Sequence, residues 1–392
     1  MAFDGITVAA VVQELEHTLV GGRISKIAQP ENDELLLTIK GNEGQKRLYI
    51  SASASLPLIY LTNENKPSPM TAPGFCMLLR KHIANGRIVE ISQPHMERII
   101  NFKIEHLDEM GDLCQKTLIV ELMGKRSNII FCDANGRIID SIKHVSAAMS
   151  SLREVLPGRT YCIPATQDDR LNPLEVTEET FLGSAMKKPL PIAKALYTSF
   201  TGVSPLVANE ICHRASIDGD MSVDSLTPDA QKHLYHNFAW LMEDVKEHRY
   251  EPNIITRGRE PVEFSCFRLT EYVGSDDAVE ATNSTVATDS AGNAGFAGAD
   301  ANESEYTMQH FSSISAVLEQ YYASRNVYTR IRQKSVDLRR IVATALDRNR
   351  KKYQLQEKQL KDTEKRDRYK VYGELIHTYG YGLAEGAKEL EA

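Results

Sequence analysis

Residues 311–372 contain neither proline nor glycine. Both residues interrupt helices, so a stretch of this length without them is free to run as a single helix. Leu318, Ile331, Leu338, Val342, Ala345 and Asn349 recur within it at near-heptad spacing, which is the pattern of a coiled-coil seam. The spacing predicts a coiled-coil helix over 306–372, as one helix or two collinear ones. Between 325 and 370, sixteen Lys/Arg stand against six Asp/Glu, a local charge near +10. At 1.5 Å per residue this is a one-signed rod about 70 Å long. Arg339, Arg340, Lys351 and Lys352 are its candidate contacts with a polyanion; a merely solvated helix face is the competing reading. Beyond Gln356 the apolar seam thins and glycines return at 373, 380, 382 and 386. Residues 373–392 read as the start of a further, truncated part.

A chain of 392 residues suggests two or three domains. The formal net charge of −7 leaves no global nucleic-acid footprint, so any such role must come from local patches. The six cysteines form no Cys-x-x-Cys pair, which argues against a zinc ribbon and a disulfide scaffold and for reduced, mostly buried thiols. Val8, Val11, Val12, Leu15 and Leu19 sit at helical spacing behind Asp4, the mark of an amphipathic helix and not a signal peptide. No run of eighteen apolar residues occurs, so no membrane-spanning segment is expected. A cytoplasmic protein is expected.

Residues 1–173 read as an α+β domain with mostly antiparallel strands. After the first helix, Gly21-Gly22 ends it, and strands are expected at 24–29, 34–40, 47–51 and 58–61. A helix is expected over 75–85, then strands at 88–93, 99–106, 117–122, 128–132 and 137–142, with Asn135-Gly136 as a hairpin turn. Residues 174–253 turn helical, 254–273 read as a few strands or a return to the first domain, and 274–305 carry no Lys or Arg and one large aromatic, Phe296. That last segment buries too little apolar surface to fold and reads as a disordered acidic loop.

Two local motifs bear on chemistry. Glu121-Leu122-Met123-Gly124-Lys125-Arg126 closes one apolar strand and opens the next at Asn128. Gly124 permits a positive φ at the turn, and Lys125 and Arg126 are held where they suit phosphates. The second motif is Gly202-Val203-Ser204-Pro205 between two helical stretches, with Ala208 and Ile211 facing back. This is a helix-hairpin-helix signature whose second helix offers N-terminal N–H groups to a phosphate. Many such hairpins only join helices. His82, His95 and His144 have no ligand spacing, so no metal and no cofactor are expected.

Taken together, these strings resemble the NFACT family across essentially the whole chain. The resemblance is carried by Met1-Ala2-Phe3-Asp4-Gly5, Val20-Gly21-Gly22-Arg23-Ile24, Phe75-Cys76-Met77-Leu78-Leu79-Arg80-Lys81-His82, the 121–130 hairpin, Asp140-Ser141-Ile142-Lys143-His144-Val145 and Leu156-Pro157-Gly158-Arg159-Thr160-Tyr161. It implies an NFACT-N domain similar to the N-terminal domain of formamidopyrimidine-type DNA glycosylases, an all-α helix-hairpin-helix domain and a long coiled-coil helix. Those glycosylases attack with an N-terminal proline amine; here Ala2 and Phe3 follow Met1, so the nucleophile is absent. The resemblance further implies ribosome-associated quality control. Its members bind large (50S) ribosomal subunits still holding peptidyl-tRNA and bring in alanyl-tRNA, so that the stalled chain gains a C-terminal tail for proteolysis. The ribosome performs the transfer, so no enzyme is expected. An Asp-Arg pair of the family maps to Glu97 and Arg98, with Glu one methylene longer, and a Glu-apolar-Met triplet maps to Glu121, Leu122 and Met123. Both are implied to engage tRNA; Lys125 and Arg126, immediately after the triplet, are read from their own chemistry as added phosphate contacts. The alternatives are a fibronectin-binding surface adhesin and a DNA-binding or repair protein.

Overall fold

The computed structural model describes residues 3–42, 44–108, 110–150, 152–164, 169–272, 306–383 and 385–389, with backbone alone at 325–337, 339 and 364. The acidic stretch 274–305 lies outside the described residues. The chain divides into two compact units, Met1–Arg325 and Asn326–Ala392.

In the first unit, helix α1 (Gly5–Leu19) starts at Asp4, whose carboxylate accepts the Thr7 N–H at 2.9 Å. This satisfies a backbone donor that a helix start otherwise leaves open. Its expected apolar face is buried throughout: Val8, Val11, Val12, Leu15 and Leu19. Nine strands follow in one sheet: β1 (Arg23–Ala28), β2 (Glu34–Gly41), β3 (Gly44–Ala52), β4 (Pro57–Thr62), β5 (Arg87–Ser92), β6 (Ile99–Leu107), β7 (Leu113–Glu121), β8 (Asn128–Cys132) and β9 (Ile138–Ser141). The order is β4-β3-β2-β1-β5-β6-β7-β8-β9, and each pairing is antiparallel. The two halves join through one narrow pairing, Arg23 with Arg87, and fold so that β3 lies against β7. Helix α2 (Gly74–Ile83) fills the interior with Phe75, Cys76, Leu79 and Ile83.

Helices α3 (Glu178–Ser184), α4 (Ile192–Ser199), α5 (Pro205–Arg214) and α6 (Pro228–Lys246) come next. They share a continuous hydrophobic core with the sheet. Its centre is aromatic: Phe200 stacks on Phe181 at 5.7 Å and meets Phe238 at 4.7 Å. Glu210 of α5 is fully buried, bonded to Arg214 at 2.7 Å and to the Thr270 hydroxyl at 2.8 Å. That ties the following segment down.

A second sheet, in the order β11-β10-β12, holds β10 (Asn253–Arg257), β11 (Glu260–Ser265) and β12 (Tyr306–His310). Residues 306–310, expected as the start of the long helix, are a strand instead. Main-chain pairing with β10 and the Thr256–Thr307 hydroxyl contact at 2.7 Å outweigh helical continuity there. Helix α7 (Ile314–Tyr379) begins four residues later and runs for 66 residues. Its first turns belong to the first unit: Tyr321 packs on Phe264 at 4.8 Å, and Ser315 bonds both Glu14 at 3.0 Å and the Leu61 N–H at 2.9 Å. In the second unit, Leu338 and Val342 of the expected seam are 62% and 64% exposed, and no other α-helix occurs among the described residues of that unit. All six cysteines are free, four of them buried. Among the described residues no helix is long and apolar enough to cross a membrane, and none group to hold a metal ion.

Candidate nucleic-acid interface

Three backbone segments converge above the N-terminus of α1. The Gly5 N–H donates to the Gly202 carbonyl at 3.0 Å, and Gln93 Nε2 donates to the Gly5 and Glu97 carbonyls, each at 2.8 Å. The approach requires glycine: a Cβ on Gly5 would fall 2.2 Å from the Met96 carbonyl oxygen, and one on Gly202 (φ 76°) would fall 2.6 Å from the same atom. Between Pro94 and Glu97 the chain reverses through two successive left-handed residues, His95 (φ 46°) and Met96 (φ 60°). Such backbone is held only where its surroundings over-determine it.

The caps of two helices are joined here. Ser204, the N-cap of α5, accepts the Val207 N–H at 3.3 Å and donates its hydroxyl to Asp4 Oδ2 at 2.5 Å. Burial pushes the Asp4 carboxyl upward, opposed by its bonds from Ser204 and Thr7. Around this contact lies a cavity of about 260 Å³ whose lining includes Asp4, Glu97, Arg98, Arg170, Tyr197 and Ser204. Glu97 and Arg98 are half-buried. Burial raises the Glu97 carboxyl, against the attraction of Arg98, Arg170 and His95. Burial lowers the Arg98 guanidinium, opposed by Asp4 and Glu97, while the like charge of Arg170 pulls in the same direction as burial.

The structure thus brings Glu97, Arg98, Gly202, Val203 and Ser204 into one place, although more than a hundred residues of sequence separate the two groups. The hairpin has a different part from the expected one. Gly202 and Ser204 are engaged by α1, and Val203 is buried, so the turn builds the floor of the cavity. Gly202→Ala is expected to destabilise the protein by on the order of 3 kcal/mol, from left-handed strain plus the clash with Met96. Urea unfolding measures it, and a change under 0.5 kcal/mol would contradict this close approach.

The 121–127 turn stands at the same end of the sheet, because Ile99 pairs with Glu121 and Glu121 with Asn128. The Leu122 N–H donates to the Arg98 carbonyl at 2.8 Å. Gly124 has φ 60°, as the turn demands. Lys125 and Arg126 are exposed and line a second cavity of about 500 Å³ with Asn128, Leu152 and Arg153. The triplet itself points elsewhere. Leu122 is buried in the core, Met123 is half-buried, and Glu121 is fully buried. Glu121 pairs with Arg153 at 2.5 Å and accepts the Tyr161 hydroxyl at 2.9 Å. Burial pushes its carboxyl upward against the pull of Arg153. Glu121 and Leu122 therefore offer a ligand no surface; they hold the wall behind Lys125 and Arg126. Arg340, Lys351 and Lys352 are exposed on α7, with Lys351 3.1 Å from Asp347; the Arg339 side chain lies outside the description.

Sequence reasoning missed Asp4, Arg170, Tyr197, Arg153 and Tyr161. Asp4 and Tyr161 sit in strings that carried the family resemblance, which was the available signal; Arg153 and Arg170 had none.

The family model for the NFACT N-terminal and middle domains matches residues 4–289 and 277–392. The chain belongs to the NFACT family. The Rqc2 homolog RqcH of Bacillus subtilis is 34% identical over all of this chain and 61% of that protein. The human ribosome quality control complex subunit NEMF is 26% identical over 36% of this chain and 12% of its own length. The chain thus spans about three fifths of the bacterial relative. Among solved structures, the fibrinogen binding protein from Staphylococcus aureus aligns with TM-score 0.62 and 27% identity, over 82% of this chain and 99% of that one. The N-terminal part of the fibronectin/fibrinogen-binding protein from Streptococcus suis aligns with TM-score 0.61 and 30% identity, over the same shares.

Proposed function

We propose that this chain is the tRNA-engaging part of a ribosome-associated quality control factor. It binds large ribosomal subunits obstructed by peptidyl-tRNA and positions alanyl-tRNA there, so that the ribosome extends the stalled chain with a C-terminal tail. The chain's contribution is orientation: a tRNA held in register makes peptidyl transfer effectively unimolecular. The observation that carries this reading is the cavity holding Glu97 and Arg98 on a floor built by the joined caps of α1 and α5. Membership of the NFACT family supports it.

Arg98→Ala is expected to weaken tRNA binding about tenfold at 0.1 M salt, the contribution of roughly one phosphate contact, with the unfolding transition unchanged. The names of the solved neighbours favour a second reading, binding of fibronectin or fibrinogen. Measuring wild type and Arg98→Ala against tRNA, duplex DNA and fibronectin at matched salt separates the readings. Tight fibronectin binding that ignores Arg98, without tRNA binding, would replace the proposal; preference for duplex DNA would point to repair.

A further inference from the structure

We propose that Arg170 is the second cation of the Glu97–Arg98 cavity, and that the two guanidinium groups together clamp a phosphate of the bound RNA. The inference rests on the tRNA reading above and adds to it a residue that neither sequence motif contains.

The two arginines reach one cavity of about 260 Å³ from different and rigid supports. Arg98 immediately precedes β6, with its carbonyl fixed by the Leu122 N–H at 2.8 Å. Arg170 precedes Leu171, whose N–H donates to the Ser199 carbonyl and whose carbonyl accepts the Thr201 N–H, both at 2.9 Å. Those two bonds lock the backbone beside Arg170 onto the α4–α5 hairpin, so Arg170 is carried by the same element that floors the cavity. The acids lining the cavity are Asp4 and Glu97. Both Asp4 oxygens are engaged, one by Thr7 and the other by Ser204. Glu97 then faces two guanidinium groups. Both planar guanidinium forks open on this one cavity, where the formal charges of Asp4 and Glu97 balance theirs. Phosphate oxygens match that geometry in bidentate fashion.

The test uses this chain with Arg98→Ala, Arg170→Gln and Arg170→Lys, measuring tRNA affinity as a function of salt, and inorganic tripolyphosphate binding by NMR. Arg170→Gln is expected to weaken tRNA binding about tenfold at 0.1 M salt and to reduce the slope of log K against log salt by about 0.7–0.9. Arg170→Lys, which keeps the charge, should retain the slope and lose less affinity; this rescue distinguishes a phosphate contact from a packing role. If tRNA binds and Arg98→Ala weakens it while Arg170→Gln matches wild type, the clamp is overturned and the tRNA reading stands. If tRNA fails to bind but tripolyphosphate binds and needs both arginines, the clamp stands and the tRNA reading falls. If neither ligand binds, both fall.

Discussion

Glu121→Ala is expected to destabilise the protein by about 3–5 kcal/mol, the effect of removing one member of a buried ion pair. Arg153 would be left with a side chain 11% exposed and no carboxylate, and the Tyr161 hydroxyl would lose its 2.9 Å acceptor. The uncompensated guanidinium accounts for most of the loss. Glu121→Gln keeps an acceptor for Tyr161 and should fall well short of the alanine variant. The same residue belongs to the triplet that the family resemblance links to tRNA. Because it is buried, we propose that any such link runs through the wall that includes Val145, Leu152, Arg153 and Val155, which lines the 500 Å³ cavity beside Lys125 and Arg126. Urea unfolding and tRNA binding should therefore fall together in Glu121→Ala. Lost tRNA binding with stability reduced by less than 1 kcal/mol would mean that Glu121 meets the RNA directly.

Local pattern carried most of the first sheet. Alternation and turn chemistry place β1, β2, β3, β4, β5 and β6 within a few residues of where they occur, and Gly124 and Gly136 take the positive φ their turns require. These features depend on neighbours in sequence, which a single chain displays. Contacts between distant segments do not leave such a period. Asp4 precedes the first helix in the sequence, yet nothing near it announces that one of its oxygens caps that helix and that the other is bonded by Ser204, 200 positions on. Arg153 lies in a stretch without regular periodicity, so nothing in the sequence announces its bond to Glu121. β12 was hidden for a related reason. Its partner β10 lies some fifty residues earlier, and five residues ahead of a strong helix signal read as part of that helix. Of the candidate site, the charged 121–126 turn was legible from the residues and Glu97-Arg98 only through the family resemblance; the cavity that Glu97 and Arg98 line was not legible at all.

Reversing Arg339, Arg340, Lys351 and Lys352 to Glu is expected to weaken binding to large ribosomal subunits about 10³–10⁴-fold at 0.1 M salt. Each cation that neutralises a phosphate releases condensed counterions, contributing about 0.9 to the slope of log K against log salt, and four lost contacts sum to roughly 3–4. The charge imbalance motivates the choice: sixteen Lys/Arg against six Asp/Glu between 325 and 370. Among the described residues, Lys351–Asp347, Lys361–Glu357 and Lys365–Asp362 are exposed pairs at 3.1, 3.3 and 3.7 Å, and such pairs are weak and screened. The exposed apolar residues Leu338, Ile341, Val342 and Leu346 are untouched by the reversal, so loss of binding would report charge and not a lost seam. Circular dichroism should show the helix retained, since like-charge neighbours cost only about 0.2–0.5 kcal/mol per pair. Free tRNA held at Arg98 should be affected far less, which separates the two contacts. An unchanged subunit affinity with an unchanged salt slope would make the basic helix a solvated spacer and move the ribosome contact to the first unit.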